Sequence, residues 1–400
     1  MEAQQIDRDA VVVGAGPAGL AAAAMLRKRG VDALVVDRAA AVGASWRGHY
    51  DRLRLHTVRW LSHLPGYRLS RTHGRWVSRD GVIRYLEDYA RHHRLDLLLS
   101  TEVQRIERQG GRWLLRTSSG DLSAQYVVIA TGYNHTPYIE DWPGKDGYQG
   151  ELLHASVYRN AEPYRGRDVL VVGSGNTGAE IAVDLAEGGA SRVRLAVRTP
   201  PNIVRRQVNG TPNQVFGVLL RRLPPKLVDR VVRFAQRLTV PDLTGHGLPR
   251  PERGVYTRII EDDVIPIIDV GLIDAVRQDQ VEVVGALGAF AGREVVLAGG
   301  ERIQPDAVIV ATGYRRGLEP LVGPLGVVGE KGRPLVHGSE THPDAPGLHF
   351  IGYTNPISGM FREINIDSRK IARAVARDMQ SRPTSVTQAA PAPREPVPAG

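Results

Sequence analysis

Four hundred residues, 42% hydrophobic and 24% charged, are enough for two or three globular units with sizeable cores. The formal net charge of +9 is carried almost wholly by arginine, with five lysines in the chain, and the arginines are scattered rather than gathered into a tail or one helix; this argues against nucleic acid and for a general attraction to anionic cofactors and substrates. There is no cysteine, which excludes a disulfide framework, a thiolate metal site and a redox-active cysteine pair.

The first apolar stretch, residues 10–26, has the length of a secretory leader. Glu2, Asp7, Arg8 and Asp9 ahead of it make that flank negative where a leader is positive, and patterned glycines interrupt it. It reads instead as a strand, a Gly turn and a helix: Asp9-Ala-Val-Val-Val-Gly14-Ala15-Gly16-Pro17-Ala18-Gly19, then an Ala-rich run and a second strand ending at Asp37. A helix is expected near 81–94, with Val82, Ile83, Leu86 and Tyr89 on one face, and a β-hairpin at 103–117. The run Tyr-Val-Val-Ile-Ala130-Thr131-Gly132-Tyr133 then reads as a buried strand entering a turn.

The plan repeats. Asp168-Val-Leu-Val-Val-Gly173-Ser174-Gly175-Asn176-Thr177-Gly178 opens a second βαβ unit whose last strand ends at Arg198, and Ala311-Thr312-Gly313-Tyr314 repeats the later signature. Between them, 199–270 is punctuated by Pro and Arg and shows no clear period. The predicted fold is α/β, with two Rossmann-like dinucleotide-binding domains, one inserted into the other. The outer domain is expected at 1–145 and 300–380, the inserted one at 150–300, and a disordered Pro/Ala/Ser-rich tail at 381–400. No run approaches membrane length, so neither a membrane nor nucleic acid is expected as a partner, and the setting is read as cytoplasmic.

The Gly turns carry the chemistry. In such a turn the first Gly permits the bend, the second lets a pyrophosphate touch backbone, and the third lets helix and strand pack closely, with the free N–H groups of the helix facing the phosphates. Asp37, 23 residues after Gly14, stands where a carboxylate accepts hydrogen bonds from an unphosphorylated ribose. Arg198, 25 residues after Gly173, suits a 2′-phosphate. Arg205 and Arg206 are possible helpers. One unphosphorylated dinucleotide plus NADPH points to a flavin enzyme, with FAD at the first turn. Without cysteine it is not a disulfide reductase, so its electrons leave to oxygen, to an external acceptor or to a substrate.

The remaining motifs resemble the flavin-containing monooxygenases. Tyr148-Gln-Gly150-Glu-Leu-Leu-His154-Ala-Ser-Val-Tyr158 is similar to the family's identifying motif, with Tyr for its first Phe; a Trp at the last position would have looked more like the Baeyer–Villiger branch. Ser45-Trp46, the run from Tyr50 to His56, Gly247-Leu-Pro-Arg250-Pro251, Asp269-Val-Gly271 and the run from Gly347 to Thr354 are similar to the plant YUCCA group of indole-3-pyruvate monooxygenases. The resemblance covers about 9–380. It implies an NADPH-dependent monooxygenase forming a C4a-hydroperoxyflavin that oxygenates a small molecule with O2, by N- or S-oxygenation or by oxidative decarboxylation of a 2-oxo acid.

The residues assigned to FAD are Gly14, Ala15, Gly16, Pro17, Ala18, Gly19, Asp37, Arg38, Trp46, Arg47, His56, Val103, Ala130, Thr131, Gly132 and Gly352. Those assigned to NADPH are Gly173, Ser174, Gly175, Asn176, Thr177, Gly178, Arg198, Ala311, Thr312 and Gly313. His56 is the candidate catalytic residue, at a position where many members have Asn; Trp60, Phe216 and Tyr256 are candidates for the substrate pocket. Gly352-Tyr353 replaces the Gly-Asp of many two-dinucleotide flavoproteins, and 355–365 departs from the plant pattern. An FAD/NADPH electron-transfer reductase for a ferredoxin-like partner, a Baeyer–Villiger enzyme and a non-catalytic flavin binder remain alternatives, and the oligomeric state is open.

Overall fold

The computed structural model describes residues 6–220 and 223–381. The expected tail, apart from its first residue, lies outside them.

Alternating β-branched runs build the first sheet: β1 (Ile6–Val13), β2 (Ala33–Val36), β3 (Asp96–Leu98), β4 (Val103–Gln109), β5 (Arg112–Thr117) and β6 (Leu122–Ile129), in the order β3-β2-β1-β6-β5-β4. The C-terminal halves of parallel β1, β2 and β6 are apolar on both faces: one face packs on the helices 17–27, 79–92 and 360–381, the other on Ile106, Trp113, Leu115, Leu318 and Leu321. The expected hairpin is β4–β5, and the expected helix runs from Arg79 to His92. The second sheet holds β7 (Glu151–His154), β8 (Asp168–Val172), β9 (Arg192–Val197), β10 (Glu282–Gly285) and β11 (Ala307–Val310), ordered β10-β9-β8-β11-β7 and parallel throughout. The last strand, β12 (Leu348–Phe350), returns to the first sheet beside β6.

This corrects the expected boundary at 300. Residues 307–310 belong to the second sheet, with β11 lying between β8 and β7, so the chain leaves that sheet only after Val310. The short strand Tyr314–Arg315, paired with Thr136–Pro137, marks the crossing. The physical reason is that Ala307-Val-Ile-Val310 is needed as a fully buried central strand; all four residues are 0% exposed.

Seven helices matter here: α1 (Pro17–Arg27), α2 (Ala44–Arg47), α3 (Arg79–His92), α4 (Asn176–Glu187), α5 (Asn213–Leu220), α6 (Pro225–Thr239) and α7 (Met360–Ser381). α7 packs along α1, burying Phe361, Ile364, Ile371, Ala372 and Val375 in the core that also holds β1. α5 and α6 fall in the stretch that shows no clear period in the sequence; prolines at 224 and 225 and four basic side chains on α6 mask its helical repeat.

On β12, His349 is buried with Nδ1 3.2 Å from the Gly338 carbonyl oxygen. Burial pushes its imidazole down to about 4. The unfolded chain therefore takes up this proton first as pH falls, so stability present above about 6.5 is lost as pH drops toward about 4. The expected cost of this one group is about 3 kcal/mol, at 1.4 kcal/mol per pKa unit. Melting temperatures of the wild type between pH 7 and 4 should fall, and His349→Gln should flatten that slope. An unchanged slope would show that other groups carry it.

Candidate active site

The two Gly turns are the same object built twice. Gly14 and Gly173 have φ of +112° and +114°, backbone that disfavours any side chain. A Cβ on Gly14 would run into the Ala130 carbonyl oxygen, and one on Gly173 into that of Ala311. Each Ala-Thr-Gly segment is thus pressed against its own Gly turn, which explains the repeated signature. Gly19 and Gly178 abut the carbonyls of Gly14 and Gly173 in the same way. Gly16 and Gly175 differ: an added Cβ on either would meet nothing within 4 Å. That open space lies at the N-termini of α1 and α4, which have no side-chain cap and no acidic residue in the first turn. Uncapped N–H groups facing an open cradle suit a pyrophosphate, so the residues present fit one dinucleotide at each turn.

Asp37 follows β2, and its carboxylate accepts from the Ala15 N–H (2.6 Å) and the Ala39 N–H (2.8 Å), which fixes it beside the first turn. The backbone at 100–101 hydrogen-bonds to Asp37 and Ala39 and leads into Val103 at the start of β4. Arg38 is half-exposed near Glu102. Trp46 sits edge-on to Phe361 and His49, while Arg47 donates to the Val42 carbonyl and pairs with Glu87. Arg47 is therefore occupied on the protein side. The Tyr353 hydroxyl is 2.7 Å from Thr131 Oγ1 and accepts from the Thr131 N–H. Tyr353 thus braces the first Ala-Thr-Gly turn, and burial raises its hydroxyl to about 12, keeping it neutral. Gly352 (φ +86°) passes close to Ala18, so the region after β12 touches the first turn through backbone.

At the second turn Arg198 is 75% exposed at the end of β9 and pairs with Glu140 at 2.7 Å. Ser174 and Thr177 are partly exposed. The Asn176 side chain is held by the protein. Its amide donates to the Pro266 carbonyl and accepts from the Ile268 N–H, tying α4 to the strand at 267–269. Arg205 reaches Asp269 at 3.6 Å and Arg206 lies over the Trp76 ring; neither lies free on the surface.

The motif at 148–158 is a brace. The Tyr148 ring lies over Gly150, where a Cβ would strike it. His154 Nε2 donates to the Gly313 carbonyl (3.0 Å) and Nδ1 accepts from the Ser156 N–H (3.0 Å), which fixes one neutral tautomer. Burial lowers its pKa, consistent with that tautomer. Tyr158 is buried and donates to Asp184 on α4 at 2.7 Å. The motif therefore fixes the second Ala-Thr-Gly turn and α4 together.

His56 contacts a residue that sequence reasoning missed. Its Nε2 pairs with Glu180, a 4% exposed carboxylate on α4, which also accepts a hydrogen bond from Tyr50. Burial first, and Glu180 second, push the Tyr50 hydroxyl well above its usual range. One turn on, Asp184 takes Tyr158 and Arg52, and Arg52 also reaches Glu187. The acidic face Glu180-Asp184-Glu187 of α4 thus holds the segment 50–56. The i, i+4, i+7 spacing was visible in sequence; its partners, 124 to 135 residues away, were not.

A second missed centre is Asp263. Held at φ +60°, it accepts from Tyr133 (2.6 Å), Arg316 (2.7 Å) and Asn355 (3.0 Å), and pairs with Arg333 (2.6 Å). Tyr133 and Arg316 each follow an Ala-Thr-Gly turn, and Arg316 also lies over the Tyr133 ring. This network gives the divergent 355–365 segment a structural reason: Asn355 is tied to both crossings. Close by, Gln214 of α5 accepts from the Val58 N–H and donates to the Ser358 carbonyl, so α5 sits against both 57–58 and 358.

Of the three aromatic candidates for the pocket, Tyr256 is buried with its N–H on Asp229, and Phe216 is exposed on α5. Trp60 lines a cavity of about 520 Å³ with Arg59, His63, Arg68, Leu69 and Arg71.

Residues 11–209 match the family model described as pyridine nucleotide-disulphide oxidoreductase; with no cysteine the chain shares its nucleotide framework, not a disulfide. The chain is 34% identical to indole-3-pyruvate monooxygenase YUCCA1 of Oryza sativa subsp. japonica, over 86% of each chain. It is 32% identical to a probable indole-3-pyruvate monooxygenase, YUCCA9 of Arabidopsis thaliana, over 86% of this chain and 84% of the relative. Among solved structures it is similar to a flavin-containing monooxygenase from Stenotrophomonas maltophilia, at 24% identity and a TM-score of 0.72, covering 94% of this chain and all of the other. Two dinucleotide cradles, no cysteine and these relatives converge: the chain belongs to the flavin-containing monooxygenases, among relatives of the YUCCA type, and is an FAD-dependent, NADPH-using oxidoreductase.

Proposed function

We propose that this monooxygenase acts on a small organic acid, with an aryl 2-oxo acid as the substrate class. The single observation that carries the class is the identity shared with proteins named indole-3-pyruvate monooxygenases over most of both chains. The cavity walled by Trp60, Arg59, Arg68 and Arg71 supports it, since an aromatic face beside guanidinium groups suits an aryl carboxylate. In this reading the first sheet with α1 and α7 is the FAD unit and the second sheet with α4 is the NADPH unit. Bound FAD supplies hydride acceptance and oxygen activation. The chain contributes position and dryness. Gly16 and Gly175 admit the pyrophosphates, Asp37 receives the ribose, and Glu180 fixes the His56 ring at the seam between the units. Tyr353, kept neutral by burial, holds the first Ala-Thr-Gly turn in place. A cytoplasmic setting fits the demand for NADPH.

The deciding experiment follows the NADPH-reduced protein after mixing with oxygen, with and without phenylpyruvate. A long-lived near-ultraviolet absorbance, followed by substrate-dependent decay and one labelled oxygen from ¹⁸O2 in the product, is the expected result. Immediate return of oxidised flavin with stoichiometric peroxide, and unlabelled product, would remove the substrate class.

Cofactor choice gives a separate check. Arg198→Ala should raise the NADPH KM about 10-fold, since a charge-assisted phosphate contact is worth roughly 1.5–3 kcal/mol, with NADH little changed. Glu140→Gln should act in the opposite direction, because Glu140 competes with the 2′-phosphate for Arg198. Equal losses for both nucleotides in the alanine variant would show that Arg198 is not the phosphate clamp.

A further inference from the structure

Half of the fourteen large apolar side chains exposed among the described residues fall between 216 and 238. On α5 they are Phe216 and Leu219. Leu223 follows, and α6 presents Leu227, Val231, Phe234 and Leu238, spaced i, i+4, i+7, i+11 as one helical stripe. Phe234 and Leu238 are 63% and 74% exposed. The opposite side of α6 is the one that docks: Val228 is fully buried, and buried Asp229 accepts from the N–H groups of Tyr256 and Thr257. The helix is thus anchored to the protein with its apolar stripe facing outward, the reverse of a surface helix that serves a core.

A second stripe borders the first. Lys226, Arg230, Arg233 and Arg237 repeat at the same spacing and are all exposed. Asp229 is the only carboxylate on α6, and it is consumed by the backbone. Among the described residues, no carboxylate pairs with any of the four cations. Arg233 and Arg237 also face a cavity of about 190 Å³ whose floor includes Val240, Pro249, Arg250 and Glu252. Arg250 and Pro249 belong to the Gly247-Leu-Pro-Arg250-Pro251 motif, which the oxygenation chemistry leaves unused. Arg250 donates to the Val240 carbonyl and Arg233 to the Glu252 carbonyl, so Arg237 has the freest guanidinium there.

We propose that α5 and α6 form a peripheral docking surface for an anionic phospholipid bilayer. Leu, Val and Phe side chains would enter the acyl boundary, the basic stripe would meet lipid phosphates, and the cavity beside Arg237 would take a headgroup. Charge complementarity selects this occupant. A second copy of the chain would bring eight cations together with only the exposed Glu252 of each copy beside them, whereas an anionic surface neutralises all four. The +9 net charge works in the same direction. No helix among the described residues is long and apolar enough to cross a membrane, so the mode is lying on the surface. The sequence reading, which looked for spans, expects no membrane; an interfacial helix of this kind escapes that test. On its inner side, α5 places Gly217 against the Ile357 carbonyl, so the surface lies one helix away from the loop that follows the FAD contacts.

The test is co-sedimentation of the full-length flavin-loaded protein with vesicles of phosphatidylglycerol and phosphatidylcholine, against phosphatidylcholine alone. Binding to the anionic vesicles only, weakened by salt, is expected. Phe234→Ser/Leu238→Ser and Arg233→Glu/Arg237→Glu should each lower the partition coefficient by at least about tenfold, the first by losing inserted apolar area and the second as about 1 kcal/mol per surface cation implies. Flavin content and NADPH oxidation should be unchanged in both, which separates loss of docking from loss of fold. No sedimentation of the wild type with either vesicle overturns the proposal. So does complete displacement by soluble glycerol phosphate, which would mark a site for a small phosphorylated compound. A concentration-dependent dimer in analytical ultracentrifugation that the serine pair abolishes would overturn it too, by assigning the face to a second copy.

Discussion

Gly175→Val is expected to yield a folded, yellow protein that NADPH reduces about a hundredfold more slowly at low nucleotide concentration. Gly175 has φ −85°, which valine adopts without strain, and an added Cβ meets no protein atom within 4 Å. The fold therefore loses nothing. The side chain fills the space in front of the uncapped N-terminus of α4, where at least two charge-assisted hydrogen bonds to phosphate would be lost. At roughly 1.5–3 kcal/mol each, and 1.4 kcal/mol per factor of ten, a hundredfold is the lower bound. Gly16→Val, with φ −82° and the same open space, should instead give folded but colourless protein. Gly19→Ala and Gly178→Ala are the contrast: their Cβ atoms collide with backbone carbonyls, and both should fail to fold properly. Anaerobic stopped-flow reduction and flavin content after gel filtration check the set. Normal NADPH kinetics in Gly175→Val would mean that the second turn is not the nucleotide site.

Asp263→Ala should cost about 3–5 kcal/mol, the usual penalty for leaving a buried cation unpaired. Arg316 is 7% exposed and Asp263 is its carboxylate partner. The loss also takes away the acceptor of the Tyr133 O–H, leaving its oxygen only the Asn355 amide that donates to it; burial, then Asp263, raise the Tyr133 hydroxyl to about 12. Asp263→Asn should fall between, keeping an acceptor but losing the charge. Because Tyr133, Arg316 and Asn355 sit at the crossings between the two sheets, flavin release should track the loss of stability. Thermal melts read by flavin fluorescence and by circular dichroism, with Arg316→Ala and the double variant, close a thermodynamic cycle. Single and double variants of equal stability would confirm one coupled unit. A shift below about 1 kcal/mol in Asp263→Ala would show that water replaces the carboxylate freely.

What the sequence made legible was local. A Gly turn, its strand and its helix occupy about thirty consecutive residues, so the glycine spacing that defines each cradle lies within one short run and could be read without a structure. The roles of Glu180, Asp263 and Tyr353 could not, because each is defined by partners more than fifty residues away. The domain boundary was misplaced for a related reason: Ala307-Val-Ile-Val310 reads as a buried strand in either sheet, and only its pairing with β8 decides. α6 was missed because Pro224, Pro225 and its four interleaved basic side chains mask its helical repeat; that its apolar stripe faces outward is known only from the structure.

The return of the chain to its first sheet also orders events at the ribosome. β12 pairs with β6, and α7 covers α1, yet both are made only after residue 347. While the nascent chain grows through the second unit, the Ala-rich face of α1 and one flank of β6 remain uncovered. The second sheet, complete at Val310, can close earlier. Maturation is therefore back to front: the unit begun second finishes first. A synthesis halted between Val310 and Leu348 would leave a finished inner unit on an unfinished outer one, a natural client for chaperones.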